Sequence, residues 1–252
     1  MIRKIRPTIN NIQTERIPRP FNIFISRMLI PSQLLIVLII NSSAIHRLTI
    51  TIHQIFRILY MNAQEIIPVE LTKAYRLLNH GPTVLVSAQH EQDKDVMAAA
   101  WACALELNPA KVTVVLYKST KTRQLVEQSG YFALQVPCYA QIDMVHQLGT
   151  ISKFDQPNKL EDCKTELFYQ DEFKVPLVSG SIAWLVCKVI PEPHNQQTHD
   201  LFIGSVIAAW ADSRVFRDGH WHFEEANKEL RSLHYVAGGT FYLIGEEVKA
   251  KL

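Results

Sequence analysis

Residues 83–117 read TVLVSAQHEQDKDVMAAAWACALELNPAKVTVVLY, and their pattern decides the fold class. Thr83 to Ala88 is a β-branched, apolar run, and His90 to Lys94 after it is a polar turn. Val96 to Cys103 reads as a second strand, Asn108-Pro109 as a turn, and Val112 to Tyr117 as a third strand. Short strands joined by turns, without regular strand–helix alternation, argue against a parallel α/β sheet.

Working outward, Val69 to Leu78 predicts a short helix, with Leu71, Ala74, Tyr75 and Leu78 at helical spacing. Asn79-His80-Gly81-Pro82 ends it. Downstream, Ser119 and Thr120 can cap a helix from Thr122 to Gln128 that Gly130 terminates. Tyr131 to Val136 is a strand, Ala140 to Leu148 is helical, and Lys153 to Gln170 is polar with little pattern. Strands return at Ile182–Ile190, Leu201–Ala211 and Phe241–Ile244, with a charged, aromatic loop and a short helix between Asp212 and Glu229. The expected class is mainly β: a small antiparallel barrel with a few peripheral helices.

The two ends of the chain differ in kind. Residues 1–60 hold eight Lys or Arg against one acid, Glu15, and sixteen Ile, but no Gly and no Asp. The other 192 residues carry 18 bases and 23 acids, a net of −5, which argues against a nucleic-acid binder. All nine Gly lie beyond Met61, as a turn-rich barrel requires. The expected division is therefore an Ile-rich extension, 1–60, and a folded domain, 61–252.

Three readings of the extension stay open: a segment absent from the mature protein, which then starts at Met61; a membrane anchor or targeting segment; or disordered or loosely helical chain. The uncharged stretch from Met28 to Ile45 is interrupted by Pro31, Ser32, Gln33, Asn41, Ser42 and Ser43. It falls short of the ~20 apolar residues of a membrane span, so membrane association is not expected. No small-residue cleavage site follows it cleanly. Cys103, Cys138, Cys163 and Cys187 match no zinc spacing and read as small hydrophobes of a cytoplasmic protein.

Common catalytic signatures are absent: no G-x-S-x-G, P-loop, H-E-x-x-H or G-x-G-x-x-G occurs, and no catalytic residue stands out. His220-Trp221-His222 and the pair His194/His199 invite a metal reading. No carboxylate or thiol at ligand spacing accompanies them, so no metal is expected.

Two segments offer binding chemistry. Val96-Met97-Ala98-Ala99-Ala100-Trp101-Ala102-Cys103 is a run of small residues on a strand. It either leaves its backbone open for a flat aromatic ring to take main-chain N–H hydrogen bonds, or is a tightly packed core strand. Lys118-Ser119-Thr120-Lys121-Thr122-Arg123 joins a strand to a helix. Its hydroxyls, cations and helix N-terminus are the ingredients of a phosphate clasp, or else an ordinary capped helix on a basic patch. One ligand with a flat ring and a phosphate could use both, and FMN has that shape.

Six stretches in order resemble flavoredoxin-like members of the flavin reductase family: Lys73–Leu78 with Gly81–Val86; Asp95–Met97 with Ala100-Trp101; Leu125–Val136 with Pro137; Gly149-Thr150-Ile151-Ser152; Leu201–Val206; and Leu233–Gly239. The resemblance covers roughly Val69 to Gly245. It implies a Greek-key split β-barrel that binds FMN non-covalently as a homodimer, with flavin near the subunit interface. On that resemblance, Met97, Ala99, Ala100, Trp101, Ala102 and Cys103 line the ring, and Lys118, Ser119 and Thr122 hold the phosphate. The Gly149–Lys153 loop, with Ser152 and Lys153, closes over the cofactor.

Many relatives carry Ser-Gly-Arg where this chain has Ser152-Lys153-Phe154, and a lysine point charge does not reproduce a guanidinium fork. His234 and Tyr235 either approach the flavin or fill the barrel end, Tyr235 reading as structural. The implied activity is an NAD(P)H-dependent flavin reductase, NADH or NADPH giving hydride to the flavin. The alternatives are a flavoredoxin-type electron carrier without a nicotinamide site and a split-barrel binding protein without cofactor.

Overall fold

The computed structural model describes residues 23–30, 33–40, 64–170 and 173–251, the first two ranges by backbone alone. The chain divides into two units, Met1–Ala63 and Gln64–Leu252. In the first, strands β1 (Ile23–Ile30) and β2 (Gln33–Ile40) pair antiparallel from Ile23↔Ile40 to Ile30↔Gln33, so this stretch is extended rather than helical. The remainder of the extension lies outside the described residues. No helix among the described residues is long and apolar enough to cross a membrane.

In the second unit a short edge strand, β3 (Ile66–Pro68), precedes a 3-10 helix at Leu71–Leu77. The predicted helix is a 3-10 one, whose period of three aligns Leu71, Ala74 and Leu77; Ala74 and Leu77 enter the core, while Leu71 at its first position stays exposed. Strands β4 (Val84–His90), β5 (Asp93–Ala99), β6 (Ala102–Leu107), β7 (Ala110–Val115), β8 (Tyr131–Val136), β9 (Leu167–Phe168), β10 (Leu177–Val178), β11 (Ala183–Ile190) and β12 (Leu201–Asp212) follow. Four α-helices lie among them: α1 (Lys121–Ser129), α2 (Ile142–Thr150), α3 (Lys159–Asp162) and α4 (Pro193–His199). Three hairpin-like additions complete the unit: β9 with β10, β13 (Phe216–Arg217) with β14 (His220–Trp221), and β15 (Leu233–Ala237) with β16 (Thr240–Leu243).

The main sheet is antiparallel, in the order β5-β4-β8-β11-β12-β7-β6, with β3 also on β12. The predicted strand Val96–Cys103 is two strands, broken at Ala100 and Trp101, and its halves lie at opposite ends of that order. Seven strands about 4.8 Å apart would spread across roughly 29 Å if flat. Three Cα steps from Ala99 to Ala102 reach at most about 11 Å. The sheet therefore curls until its two edges nearly meet, yet β5 and β6 do not pair. The result is a split barrel with few helices, as the sequence predicts.

Alternation along the strands fills the interior. Val84, Val86, Val112, Val114, Phe132, Leu134, Leu185 and Phe202 form the core, joined by Leu125 and Val126 of α1. On the outer face, Leu85 and Val96 pack against Val145 and Leu148 of α2. Ala133, Trp184, Val186 and Trp210 are covered by Val175 and Leu177. Strand β8 is therefore buried on both faces.

At Gly204 of β12 the backbone runs against Phe132: a Cβ there would lie 2.5 Å from its Cζ and 3.0 Å from Cys187 Cβ. His80, behind the core, is held by Trp221 and Phe223 with both ring nitrogens buried and without a hydrogen-bond partner. Burial first, and His234 nearby second, push its pKa down to about 3.

Two stability outcomes follow from this packing. Gly204→Ala is expected to cost about 1–3 kcal/mol by overpacking, read from denaturant titration. His80 stays neutral in the fold while its unfolded pKa is near 6.5, so its contribution is complete above that pH and is lost as pH falls toward 3. The wild type should lose up to about 1.4 kcal/mol per pH unit on acidification below pH 6. His80→Phe should flatten that slope between pH 6 and 4.5; an unchanged slope would remove His80 as its source.

Candidate functional site

Strand β5 is an edge of the sheet, and its turn decides which groups face out. The two-residue turn Glu91-Gln92 is closed by the pair His90↔Asp93, and pairs alternate from there. The backbone groups of Lys94, Val96 and Ala98 therefore turn toward the open edge. The carbonyl of Lys94 accepts a hydrogen bond from Lys153 Nζ there. The side chains of Asp93, Asp95, Met97 and Ala99 share one face of the strand.

A cleft runs along this edge. One part, of about 370 Å³, lies between β5, the start of α1 and the loop after α2, and is lined by Asp95, Met97, Ser119 to Lys121, Gly149 to Asp155, and Lys159. A smaller part, of about 150 Å³, is formed by Thr83, Ala98 to Ala100, His146, Tyr235 and Phe241. Gly149 and Thr150 border both.

The two ends differ chemically. At the small end Tyr235 and Phe241 meet edge to face at 5.2 Å beside three alanines. At the other end Lys121 and Lys153 converge on Asp93, each 2.7 Å from one of its oxygens. Burial opposes ionisation of Asp93, but these two ammonium groups hold its carboxyl below the usual carboxylate range. The N-terminus of α1 points here as well: Thr120 caps it by accepting from the Arg123 N–H at 3.4 Å. Two cations and a helix N-terminus around one carboxylate make an anion seat. Asp95 and Lys159 lie beneath the cleft, both buried, 3.4 Å apart.

The cleft brings together Met97, Ala99, Ala100, Ser119, Ser152 and Lys153 of the predicted site. It does not include Trp101, Ala102, Cys103, Lys118 or Thr122. The break at Ala100 carries Trp101 and Cys103 outward, where Trp101 is 74% exposed and Cys103 touches Thr113 Oγ1 at 3.0 Å. Lys118 is exposed and does not line the cleft. Thr122 is fully buried and donates to Asp95 Oδ2 at 2.7 Å. Arg123, within the predicted basic segment, is buried and pairs with Glu127 and Asp200, so it ties α1 to β12 rather than meeting a ligand.

Sequence reasoning missed Asp93, His146, Lys159 and Phe241 as lining or clasp residues, and had Lys121 only as one member of the basic segment. The alternation of Asp93, Asp95 and Met97 was a signal available for the first of these. Tyr235, read as structural, lines the small end and is 41% exposed. His234 instead bonds Gly81 O and Ser232 Oγ, outside the cleft lining. The metal reading also needs a correction in its premise. Glu224 and Glu225 stand 3.6 and 3.7 Å from His222 Nδ1, so carboxylates do accompany that histidine. Arg217 already pairs with Glu225 there. His194 and His199 form only an edge-to-face ring contact on α4.

Comparison with known proteins places this architecture. Residues 76–231 match the family model described as a flavin reductase like domain. Protein YddH of Escherichia coli (strain K12) is 38% identical over 187 residues, 73% of this chain and 97% of that protein. A crystal structure from Shewanella baltica OS155, described as an FMN-binding domain of a flavin reductases-like enzyme, is 57% identical. It superposes with a TM-score of 0.74 over 75% of this chain and 98% of its own. Flavoredoxin of Desulfovibrio vulgaris (Miyazaki F), at 21% identity and a TM-score of 0.58 over 68% of this chain and 90% of its own, shares the fold. With the split barrel, the open β5 edge and these similarities together, the chain belongs to the flavin reductase-like family.

Proposed function

We propose that residues 61–252 form an FMN-dependent oxidoreductase that takes electrons from NADH or NADPH, with residues 1–60 an extension outside this domain. The observation that carries the proposal is the single cleft along β5, apolar and aromatic at one end and doubly cationic at the other. FMN, which the Shewanella baltica relative is described as binding, has a ring and a phosphate to match.

The residues present fit that group. Side chains on one face of a strand recur about every 6.8 Å, so Met97, next to the ring seat, and Asp93 stand roughly 14 Å apart. A ring joined to a phosphate through a chain spans that distance. Bound there, FMN would supply reversible electron transfer. The chain's own contribution is placement. Ala98 to Ala100 and Phe241 exclude water from the ring seat. The Val96 and Ala98 N–H groups face the open edge as donors. Lys121, Lys153, Ser119 and the α1 N-terminus hold the phosphate, with Asp93 fixing the two lysines while the seat is free of other anions. No protein acid or base is required for hydride transfer, consistent with the missing catalytic signatures.

We further read the protein as a cytoplasmic homodimer. All four cysteines are free, as in a reducing compartment. Trp101, Cys103, Leu105 and Leu107 are all exposed along β6 and at the turn before it, a surface that a second copy of the chain would cover.

An absorption spectrum of the purified protein with FMN, followed by NADH and NADPH under argon, tests the reading. A bound flavin that bleaches with either nucleotide supports the reductase and identifies its donor. A bound flavin that resists both leaves an electron carrier, and absence of flavin binding sinks the reading altogether. Lys121→Ala with Lys153→Ala should weaken FMN by about 3–6 kcal/mol, since hydrogen bonds to charged groups contribute about 1.5–3 kcal/mol each. Riboflavin, which lacks the phosphate, should be nearly indifferent to the same change in a calorimetric titration.

A further inference from the structure

The ring seat and the anion seat leave one part of the cleft without a role: the floor between them. Asp95 and Lys159 stand there, their side chains each 2% exposed. Asp95 Oδ2 accepts from the Thr122 hydroxyl at 2.7 Å, but Oδ1 is buried and has no hydrogen-bond partner. It faces Lys159 Nζ at 3.4 Å, long for a hydrogen bond. A buried carboxylate oxygen left without a hydrogen bond is costly, and a site that retains one invites a donor. Burial draws the Lys159 ammonium below the usual lysine range, with Asp95 acting in the opposite sense.

Position narrows what that donor is. Asp95 lies between Asp93 and Met97 on the same face of β5, about 6.8 Å from each level along the strand. In a ligand whose ring lies beyond Met97 at the small end and whose phosphate is held by Lys121 and Lys153, the chain joining them passes Asp95. An aliphatic chain would leave Oδ1 unpaired. A hydroxyl would satisfy both partners, donating to Asp95 Oδ1 and accepting from Lys159 Nζ.

Resting on the FMN reading above, we propose that the Asp95–Lys159 pair recognises a hydroxyl of the cofactor's polyol chain and makes the site selective for a hydroxylated linker. The pair acts on the linker alone, so it distinguishes ligands that share the same ring and the same phosphate. Thr122, buried and bonded to the other carboxylate oxygen, orients Asp95 for this contact.

The test compares FMN with an analogue whose phosphate is joined to the same ring by a five-carbon chain without hydroxyls. The full-length wild type should bind FMN about tenfold or more tightly than the analogue, the size of one hydrogen bond. Asp95→Leu with Lys159→Met removes both charges and both hydrogen-bonding groups together, so that no lone buried charge remains. A thermal melt checks its fold, and it should bind the two ligands equally. A wild type that does not discriminate overturns the proposal without any variant, and so does a folded double variant that keeps the wild-type ratio. Failure of the wild type to bind either ligand is a separate result: it overturns the FMN reading itself, and this inference with it.

Discussion

Ala100 and Trp101 are all that separates β5 from β6, and those two strands are the ends of a seven-strand order. A connection of that length cannot cross a flat sheet, so the sheet must curl, and everything else adapts to the curl. Antiparallel pairing satisfies the backbone of each interior strand. At the seam β5 and β6 pair only with β4 and β7, which leaves outward-facing N–H and C=O groups on β5. The barrel interior has one apolar core, filled from the seven strands of the main order by alternate side chains and sealed by α1 and the 3-10 helix. The cleft lies along the β5 seam because that is where the sheet stops.

The same strand orders the chemistry of the cleft. Successive positions on one face of β5 change from carboxylates, Asp93 and Asp95, to Met97 and then Ala99. Each level has its own partner from a different part of the chain: Lys121 and Lys153 at Asp93, Lys159 and Thr122 at Asp95, Tyr235 and Phe241 near Ala99. Charge is therefore graded along the cleft. The basic segment before α1 is divided between roles in the same way. Arg123 turns inward to Asp200 and Glu127 and fixes the helix, which leaves Ser119, Thr120 and Lys121 at its exposed N-terminus. An anchored helix presents its free N–H groups with less loss of entropy than a mobile one would.

Membership of the flavin reductase-like family explains why no catalytic signature occurs. In such a protein the cofactor carries the reaction, and the protein contributes orientation and electrostatics. On the proposed reading those contributions come from backbone groups on an edge strand, alanines, and lysines on three separate elements, none of which forms a recognisable linear motif. The exposed face of β6 belongs to the same logic: once Ala100 turns the chain outward, Trp101 has no core to enter.

The sequence by itself determined the local elements. Turn residues and β-branched runs placed β8, β11 and β12 to within one residue and β4 and β7 to within two, and Thr120 and Gly130 marked the ends of α1 because capping depends only on near neighbours. The strand from Val96 to Cys103 was misread as one because alanine and valine runs are equally compatible with a straight strand and a corner. The 3-10 form of Leu71–Leu77, the pairing of β15 with β16 and the short helix carrying Lys159 left no clear period. Which residues of the predicted site meet was decided only by tertiary structure. Asp93, Lys121 and Lys153 are brought together by strand pairing and helix packing. Whether Thr122 or Ser119 opens to the cleft depends on which side of α1 the barrel buries. Such contacts join residues up to 60 positions apart, and the energy that fixes them comes from the curl of the whole sheet, which no window of sequence contains.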